Sequence, residues 1–323
     1  MPDPLLSIII VSFNTRDMTL DCLQTLYADL GAVSAEVFIV DNGSIDGSVA
    51  AIGRDFPDVR IISNGRNAGF GAANNLAMDV ARGKYLLLLN SDAFVEFGAI
   101  DALIEFIGQS PRVGVVGPML LNADGSLQIS CFPFPTPVRA WIENLWLAKV
   151  LPHTSRLGDY RKWAHDRERF VDWVIGACML VRREAYEAVG GFDERFFMYS
   201  EEADWQRRMR SKGWEIAFTP AARVKHLGGA SGAGNPAAFN RHFFDSLDRY
   251  ELKHHGRIGL LLLRAAMVCG CSIRAVVWLI VWLAIPRQRW LASQKVKLHI
   301  ALLSRQLTYW REIAVHSDHR AIA

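Results

Sequence analysis

The chain has 323 residues, 51% of them hydrophobic and 21% charged, which provides for a full α/β domain with a large core plus a smaller unit and excludes extended disorder except at the end. The net charge is only +3, but from Lys253 onward there are 11 Lys/Arg against 2 Asp/Glu, leaving 25 of the 36 basic and 31 of the 33 acidic residues before it. An acidic body with a basic tail points to a tail that meets an anionic surface, either nucleic acid or phospholipid.

In chain order, residues 7–11, 36–40, 59–62 and 85–89 are short apolar or β-branched runs. Residues 16–30, 46–56 and 69–82, which lie between them, carry apolar positions at helical spacing. This alternation predicts a mainly parallel sheet with helices on both faces. Further strands are expected at 113–116 and 215–218. Residues 5–11 are too short for a charged region plus an apolar region and run into a polar turn, so no signal peptide is expected and the catalytic body is expected in the cytosol. The five cysteines, Cys22, Cys131, Cys178, Cys269 and Cys271, are odd in number and lack zinc or disulfide spacing; they read as buried thiols in a reducing compartment.

Pro133, Pro135 and Pro137 break the chain before an amphipathic segment at 138–151, and 136–172 reads as an excursion from the sheet that either shapes an acceptor site or covers the core. The stretch 258–285 is long and apolar enough for a membrane, which needs about 20 such residues, but it contains Arg264 and Arg274. Those arginines fall within about 80° of each other on a helix, which suits a span, a re-entrant hairpin or an interfacial helix. Beyond it, Val296, Ile300, Leu303, Leu307 and Trp310 recur at steps of four and three opposite Lys295, Lys297 and Arg305, the pattern of an amphipathic interfacial helix. The alternative is a helical subdomain packing on the body or on a second copy, a homo-oligomer.

The chemistry concentrates at the ends of these elements. Ligands of open α/β sheets bind at the carboxyl ends of the strands. There lie Ser12 with Asn14, then Asp41, then the Gly- and Asn-rich 64–75 with Asn67 and Asn74, then Asn90, Ser91 and Asp92. Asp92 is the best metal-ligand candidate of the N-terminal half, because Mg²⁺ or Mn²⁺ takes oxygen ligands and commonly only one or two carboxylates. His226, just after a later strand, is a candidate second ligand. Glu201, Glu202 and Asp204 crowd the mouth of a helix, where one acid would be an ordinary cap worth roughly 0.3–1 kcal/mol. Three together repel one another and raise at least one pKa, which suits a general base.

Taken in order, SIIIVSFN, VDNGSIDGS, NAGFGAANN, LLLLNSDA, GACMLVRREAYEAVGGFDERFFMYSEEADW and VKHLGG resemble the large family of inverting, nucleotide-sugar-dependent glycosyltransferases with the GT-A fold, most nearly its bacterial rhamnosyltransferase-like branch. The likeness covers about residues 5–255. It implies an α/β GT-A domain at 1–255 and membrane-associating apolar and basic helices at 256–323. It also implies that Ser12, Asn14, Asp41, Asn67, Asn74, Asn90 and Ser91 line the nucleotide-sugar site, and that Asp92 and His226 contact the metal or the diphosphate. Glu202 matches the base, with Glu201 the alternative, and Trp173, Gly176 and Asp204 are assigned to the acceptor side. The chain departs from the family where Asn90 replaces an Asp, which removes one anion, and where Glu202 replaces an Asp.

The resemblance implies transfer of a sugar, L-rhamnose from dTDP-rhamnose, to a lipid-linked or polysaccharide acceptor in cell-envelope synthesis. Mg²⁺ or Mn²⁺ is the expected cofactor, and the cytoplasmic face of the membrane the expected location. A UDP-hexose or galactofuranose donor, or a non-catalytic nucleotide-sugar-binding membrane scaffold, are the alternatives. Long apolar runs among the tail charges fit lipid better than a phosphate backbone, so no nucleic acid is expected as a partner.

Overall fold

The computed structural model describes residues 3–147, 160, 163–228 and 236–317, the side chains of 236–240 and 307–317 excepted. The chain divides into two compact units, Met1–Phe134 with Thr154–Leu247, and Pro135–His153 with Asp248–Ala323. The division falls a little before the sequence-based boundary at 255/256, and the segment Pro135–His153 groups with the tail.

Strand and helix alternate first as β1 (Leu6–Ser12), α1 (Arg16–Leu30), β2 (Ala35–Asp41), α2 (Ser48–Asp55), β3 (Arg60–Ser63), α3 (Phe70–Met78) and β4 (Tyr85–Asn90). There follow β5 (Ala93–Val95), α4 (Ala99–Gln109), β6 (Val113–Leu121), β7 (Leu127–Gln128), β8 (Cys131–Phe132) and α5 (Pro137–Asn144). The remainder comprises β9 (Arg169–Val171), β10 (Trp173–Val174), β11 (Cys178–Arg182), α6 (Arg183–Val189), α7 (Glu201–Ser211), β12 (Glu215–His226), α8 (Pro236–Ala284) and α9 (Arg289–Ser317).

The first unit is built on one sheet in the order β3-β2-β1-β4-β11-β6-β12-β5, with β7 on β6 and β9 on β12, while β8 and β10 form a separate pair. β3, β2, β1 and β4 are parallel, as are β6 and β12, but β11 runs antiparallel between β4 and β6. Its residues, CMLVR, are buried throughout, so this run has no alternation to mark it as a strand.

Period-two burial splits the apolar residues of the other strands between two cores. Ile8, Ile10, Ile39, Leu87 and Leu89 pack with Cys22, Leu23 and Leu26 of α1 and Leu103 and Ile107 of α4. Ile9, Phe38, Val40, Leu86 and Leu88 pack on the opposite face with Ala73 and Ala77 of α3 and Trp205 and Met209 of α7.

Several boundaries differ from the sequence reading. β6 continues through Gly117 and Pro118, and β12 continues through Pro220. A register shift between Thr219 and Arg223 takes up the second proline, and Pro118 pairs with Thr219 just before it. α2 starts at Ser48, not at Asp46. The Asp46 carboxylate instead accepts from the backbone N–H of Ser48 at 3.1 Å and of Arg16 at 2.9 Å, so one side chain caps two helices. Burial alone would raise its pKa, but hydrogen bonds from the Ser48 hydroxyl and from the amides of Arg16 and Ser48 hold it below the ordinary value.

In the second unit, Gly256 interrupts α8 with φ 67°. Past it, Leu260, Leu263, Arg264, Met267 and Cys271 are buried, and Arg264 pairs with buried Asp248 at 3.0 Å. Arg274 donates to Asn144 Oδ1 at 3.3 Å and lies over the Trp146 ring at 5.2 Å. Among the described residues α8 alone contains a stretch long and apolar enough to cross a membrane. All five cysteines are free thiols, and four are buried as expected, but Cys269 is exposed because it falls on the outward side of α8.

Candidate active site

The loops after β1, β2 and β3 are laced together at the carboxyl edge of the sheet. Asn14, at φ 52°, donates its N–H to Ser44 Oγ (2.9 Å) and accepts from Ile45 N (2.9 Å). The Asp41 carboxylate accepts from the N–H groups of Gly43 (3.3 Å) and Ser44 (3.2 Å) in a local turn. Asn42 is the hub. Its Nδ2 donates to Asn67 Oδ1 and Gly69 O, both at 3.2 Å, and its Oδ1 accepts from Asn64 Nδ2 at 2.8 Å and Ala68 N at 3.2 Å.

Asn14 and Asn67 are exposed, while Ser12 and Asn74 are not. The Ser12 hydroxyl lies among those of Thr15 and Thr19, at 3.3 and 3.0 Å, and Asn74 Nδ2 donates to Phe70 O at 2.9 Å. These two expected contact residues are buried, Ser12 bonding the start of α1 and Asn74 the first turn of α3. Thr15 donates to Ser91 Oγ at 3.1 Å, tying the first loop to the strand end that carries Asp92.

β12 pairs with β5 so that His226 lies opposite Ala93, which brings His226 Nε2 to 3.3 Å from Asp92 Oδ1 and 3.4 Å from Asn90 Nδ2. Gln128, on β7, sets the imidazole. Its Nε2 donates to Asn122 Oδ1 (3.0 Å) and His226 O (3.1 Å), so its Oε1 accepts at 2.7 Å from His226 Nδ1–H and Nε2 is the nitrogen turned toward Asp92. After His226, the residues Gly228, Gly229 and Ser231 read from the sequence as a flexible loop that either closes over substrate or forms a turn, and Gly229 and Ser231 lie outside the described residues.

Tyr199 and Ser200 precede α7 with φ 69° and 63°, a left-handed pair that costs of order 1–3 kcal/mol per residue and is typical of functional sites. This turn aims Glu201 and Glu202. The two side chains share a hydrogen bond, and Glu202 also accepts from the N–H of Gly176. Burial, and then the charge of Glu202, push the Glu201 carboxyl well up; burial also raises Glu202, opposed by the amides that donate to it. Burial raises both carboxyls, Glu201 the more strongly, so the pair favours a shared proton, and Glu202 is the more accessible residue of the two. Glu202 Oε2 makes no hydrogen bond within the protein. Tyr199 faces both, its phenol pushed up by burial and then by the two carboxylates.

Asp204, expected with them on the acceptor side, is fully buried and binds Arg208 at 3.0 Å, while Arg208 also donates to Val189 O (2.7 Å) and Gly191 O (2.6 Å). At i and i+4 these two side chains share a helix face, so the three-acid cluster resolves into a pair plus a structural clamp.

Gly176 and Ala177 connect the two acidic regions. Ala177 O accepts from Asn90 N at 2.9 Å, and the next residue, Cys178, pairs with Leu89. The antiparallel direction of β11 thus brings its entry, and with it Glu202, to the strand end that carries Asp92. Trp173 stacks on Phe132 at 5.1 Å and donates to Pro133 O at 2.9 Å, leaving its ring half-exposed. Phe70 N donates to Phe197 O at 3.0 Å, and a Cβ at Gly69 (φ 92°) would come within 2.1 Å of that oxygen, so only glycine admits the Gly- and Asn-rich loop this close to the α7 turn. Asn42, Gln128 and Tyr199 are the residues missed by reading the sequence. Asn42 and Tyr199 lie inside two of the motifs given above, whereas Gln128 carries no local signal.

Residues 7–190 match the family described as Glycosyl transferase family 2. The N-acetylglucosaminyl-diphospho-decaprenol L-rhamnosyltransferase of Mycobacterium tuberculosis is 35% identical over 214 residues, covering 62% of this chain and 69% of that protein. Among solved structures, the mannosyltransferase PcManGT from Pyrobaculum calidifontis in complex with GDP-Man and Mn²⁺ has a TM-score of 0.54 at 17% identity, over 95% of this chain and 88% of that one. GalNAc-T7 with UDP, GalNAc and Mn²⁺ has a TM-score of 0.56 at 16% identity, over 76% of this chain but only 47% of that one. These structural likenesses establish the GT-A fold.

Proposed function

The chain belongs to glycosyl transferase family 2, and on that premise we propose that it transfers L-rhamnose from dTDP-rhamnose, by a single inverting displacement, to a lipid-linked acceptor in cell-envelope glycan synthesis, working at the cytoplasmic face of the membrane. The observation that carries the catalytic part is the Glu201–Glu202 pair, held by Gly176 beside the strand end that bears Asp92. The donor and acceptor rest on the mycobacterial relative.

Glu202 Oε2 takes the proton of the acceptor hydroxyl as that oxygen attacks the anomeric carbon. Glu201, protonated, donates to the other side of Glu202 and holds it in place. Asp41, Asn14 and Asn67 line the nucleotide side.

The donor set at Asp92 and His226 fits Mg²⁺ or Mn²⁺. Their 3.3 Å separation is close to the roughly 3 Å between adjacent ligands of an octahedral cation with bonds of about 2.0–2.1 Å. Among the described residues no three or more His, Cys, Asp or Glu gather as a metal site, so donor phosphate oxygens and water would complete the shell. When bound, the metal would supply charge stabilisation on the departing diphosphate.

A binding and hydrolysis screen of detergent-purified protein against dTDP-rhamnose, UDP-glucose, UDP-galactose, UDP-galactofuranose and GDP-mannose, with and without Mg²⁺ or Mn²⁺, tests the reading. Metal-dependent preference for dTDP-rhamnose is expected. Preference for another donor overturns the rhamnosyl assignment, and no binding at all overturns catalysis. Asp92→Ala is expected to weaken Mn²⁺-dependent donor binding by about tenfold or more in calorimetric titration; an unchanged titration would remove Asp92 from the site.

The protonated partner gives a pH prediction. Because the Glu201 carboxyl is raised in the folded state, the native protein binds more protons than the unfolded chain between the ordinary and the raised value, so stability falls as pH climbs through that window. Glu201→Gln keeps a donor to Glu202 but removes this titration. Thermal denaturation across pH should show a shallower decline for the variant, with most of the transfer activity retained. Loss of activity comparable to that of Glu202→Gln would instead make Glu201 the base.

A further inference from the structure

We propose that α8 and α9 of the second unit form a docking surface that lies within one leaflet of an anionic phospholipid membrane and does not cross it. The inference deepens the lipid-linked acceptor reading and rests on it only for the choice of occupant.

From Gly256 to Ala284, α8 is about 42 Å long, enough to cross a hydrocarbon layer of about 30 Å. Length therefore does not decide between crossing and lying flat; what packs on the helix does. The exposed residues Ile258, Leu262, Cys269, Ile273, Val276, Ile280 and Leu283 recur at steps of three, four or seven and form one outward stripe without a charge. Both arginines of the stretch are turned the other way, Arg264 to Asp248 and Arg274 to Asn144 and Trp146.

The middle of the apolar stretch is in contact with α5. A Cβ at Gly270 would meet Asn144 Cβ and Asn144 O, each at 2.8 Å, so the carbonyl end of α5 abuts the centre of α8. In a spanning orientation that centre would lie at the bilayer midplane. It would carry exposed Glu143, and the non-helical chain that follows α5 at Asn144, to that depth, which lipid does not tolerate. With α8 lying flat, α5 sits on the water side and only the uncharged stripe enters the acyl region, as in interfacial helices buried by about 5–10 Å.

The flanks match an anionic headgroup layer. Lys253 and Arg257 precede the stripe, and Arg287, Arg289 and Lys297 follow it, all exposed. Trp290, 76% exposed at the start of α9, and Trp282 supply aromatic rings of the kind that settle at headgroup level.

Cys269 is a native reporter, since it is the one exposed cysteine and lies near the middle of the stripe. An environment-sensitive fluorophore on Cys269 of the full chain would be read in phosphatidylcholine vesicles with or without phosphatidylglycerol, using lipids that carry nitroxides at shallow or deep acyl positions. Cys269→Ser serves as the labelling control. Stronger quenching by the shallow nitroxide is expected, together with binding that needs the anionic lipid and weakens with salt. Val276→Glu is expected to reduce vesicle binding at least tenfold while donor turnover in detergent stays unchanged. Stronger quenching by the deep nitroxide would mean a span and overturn the proposal. So would absence of quenching with Cys269 shielded in a dimer. Donor turnover in detergent reads the catalytic assignment separately, so failure of one is distinguishable from failure of the other.

Discussion

Replacing Glu202 by Gln is expected to lower sugar transfer by about 10²–10⁴-fold while leaving donor affinity nearly unchanged. The amide keeps the size of the side chain and the contact with Glu201 but cannot accept the acceptor's proton. Steady-state transfer kinetics beside donor titration would separate the two effects, because removing a base lowers kcat and leaves ground-state donor binding intact. Near-normal turnover would exclude Glu202 as the base. The size of the effect follows from the position of this carboxylate: its Oε2 makes no hydrogen bond within the protein, while Gly176 and Glu201 engage the same carboxylate. Both Glu202 Oε2 and Glu201 Oε2 are buried and without a hydrogen-bond partner in the protein, so either has capacity to bond an arriving hydroxyl, and the comparison with Glu201→Gln decides which one takes the proton.

Trp205→Ala is expected to cost about 3–5 kcal/mol of stability, measured by denaturant unfolding at 25 °C. The indole is fully buried, its ring centroid is 4.3 Å from that of Phe192, and its Nε1 donates to Gly190 O at 2.7 Å. Truncation would open a cavity under α7 and leave that carbonyl without its donor. Because Glu201 and Glu202 begin the same helix, transfer should be lost at lower temperature or denaturant concentration than in the unaltered protein. A cost below about 1 kcal/mol would mean that the helix is anchored by other contacts, for example those of Met209 or of the Asp204–Arg208 clamp.

Much of the first half of the fold is legible residue by residue. The run at 85–89 and the spacing of 16–30 coincide with β4 and α1 almost exactly as expected, since both patterns record which side chains meet a core. The same reasoning fails where burial loses its period. β11 is buried on both faces and shows no alternation. The strands expected at 113–116 and 215–218 stop short of Pro118 and Pro220, yet β6 and β12 continue through both prolines near a register shift. At the site, the strand-end motifs identify where ligands belong, but not which side chains point there. Ser12 ends β1 and Asn74 lies within α3, and their polar groups are spent inward, on Thr15 and Thr19 and on Phe70 O.

The sequence by itself determined the alternation of strands and helices, the family, the loops that converge on one edge, and the acidic character of the helix start at 201. Those properties are local: they depend on spacing along a few turns or strand residues, which the chain carries wherever it folds. Only the tertiary structure decided that Asp204 belongs to Arg208 and leaves Glu201 with Glu202, that Gln128 orients His226 toward Asp92, and that Arg264 and Arg274 turn inward and leave α8 an uncharged outer stripe. Each of these rests on which side chains meet in space. Whether the partners are four residues apart or more than a hundred, strand register and helix rotation settle that contact, and residue spacing alone does not.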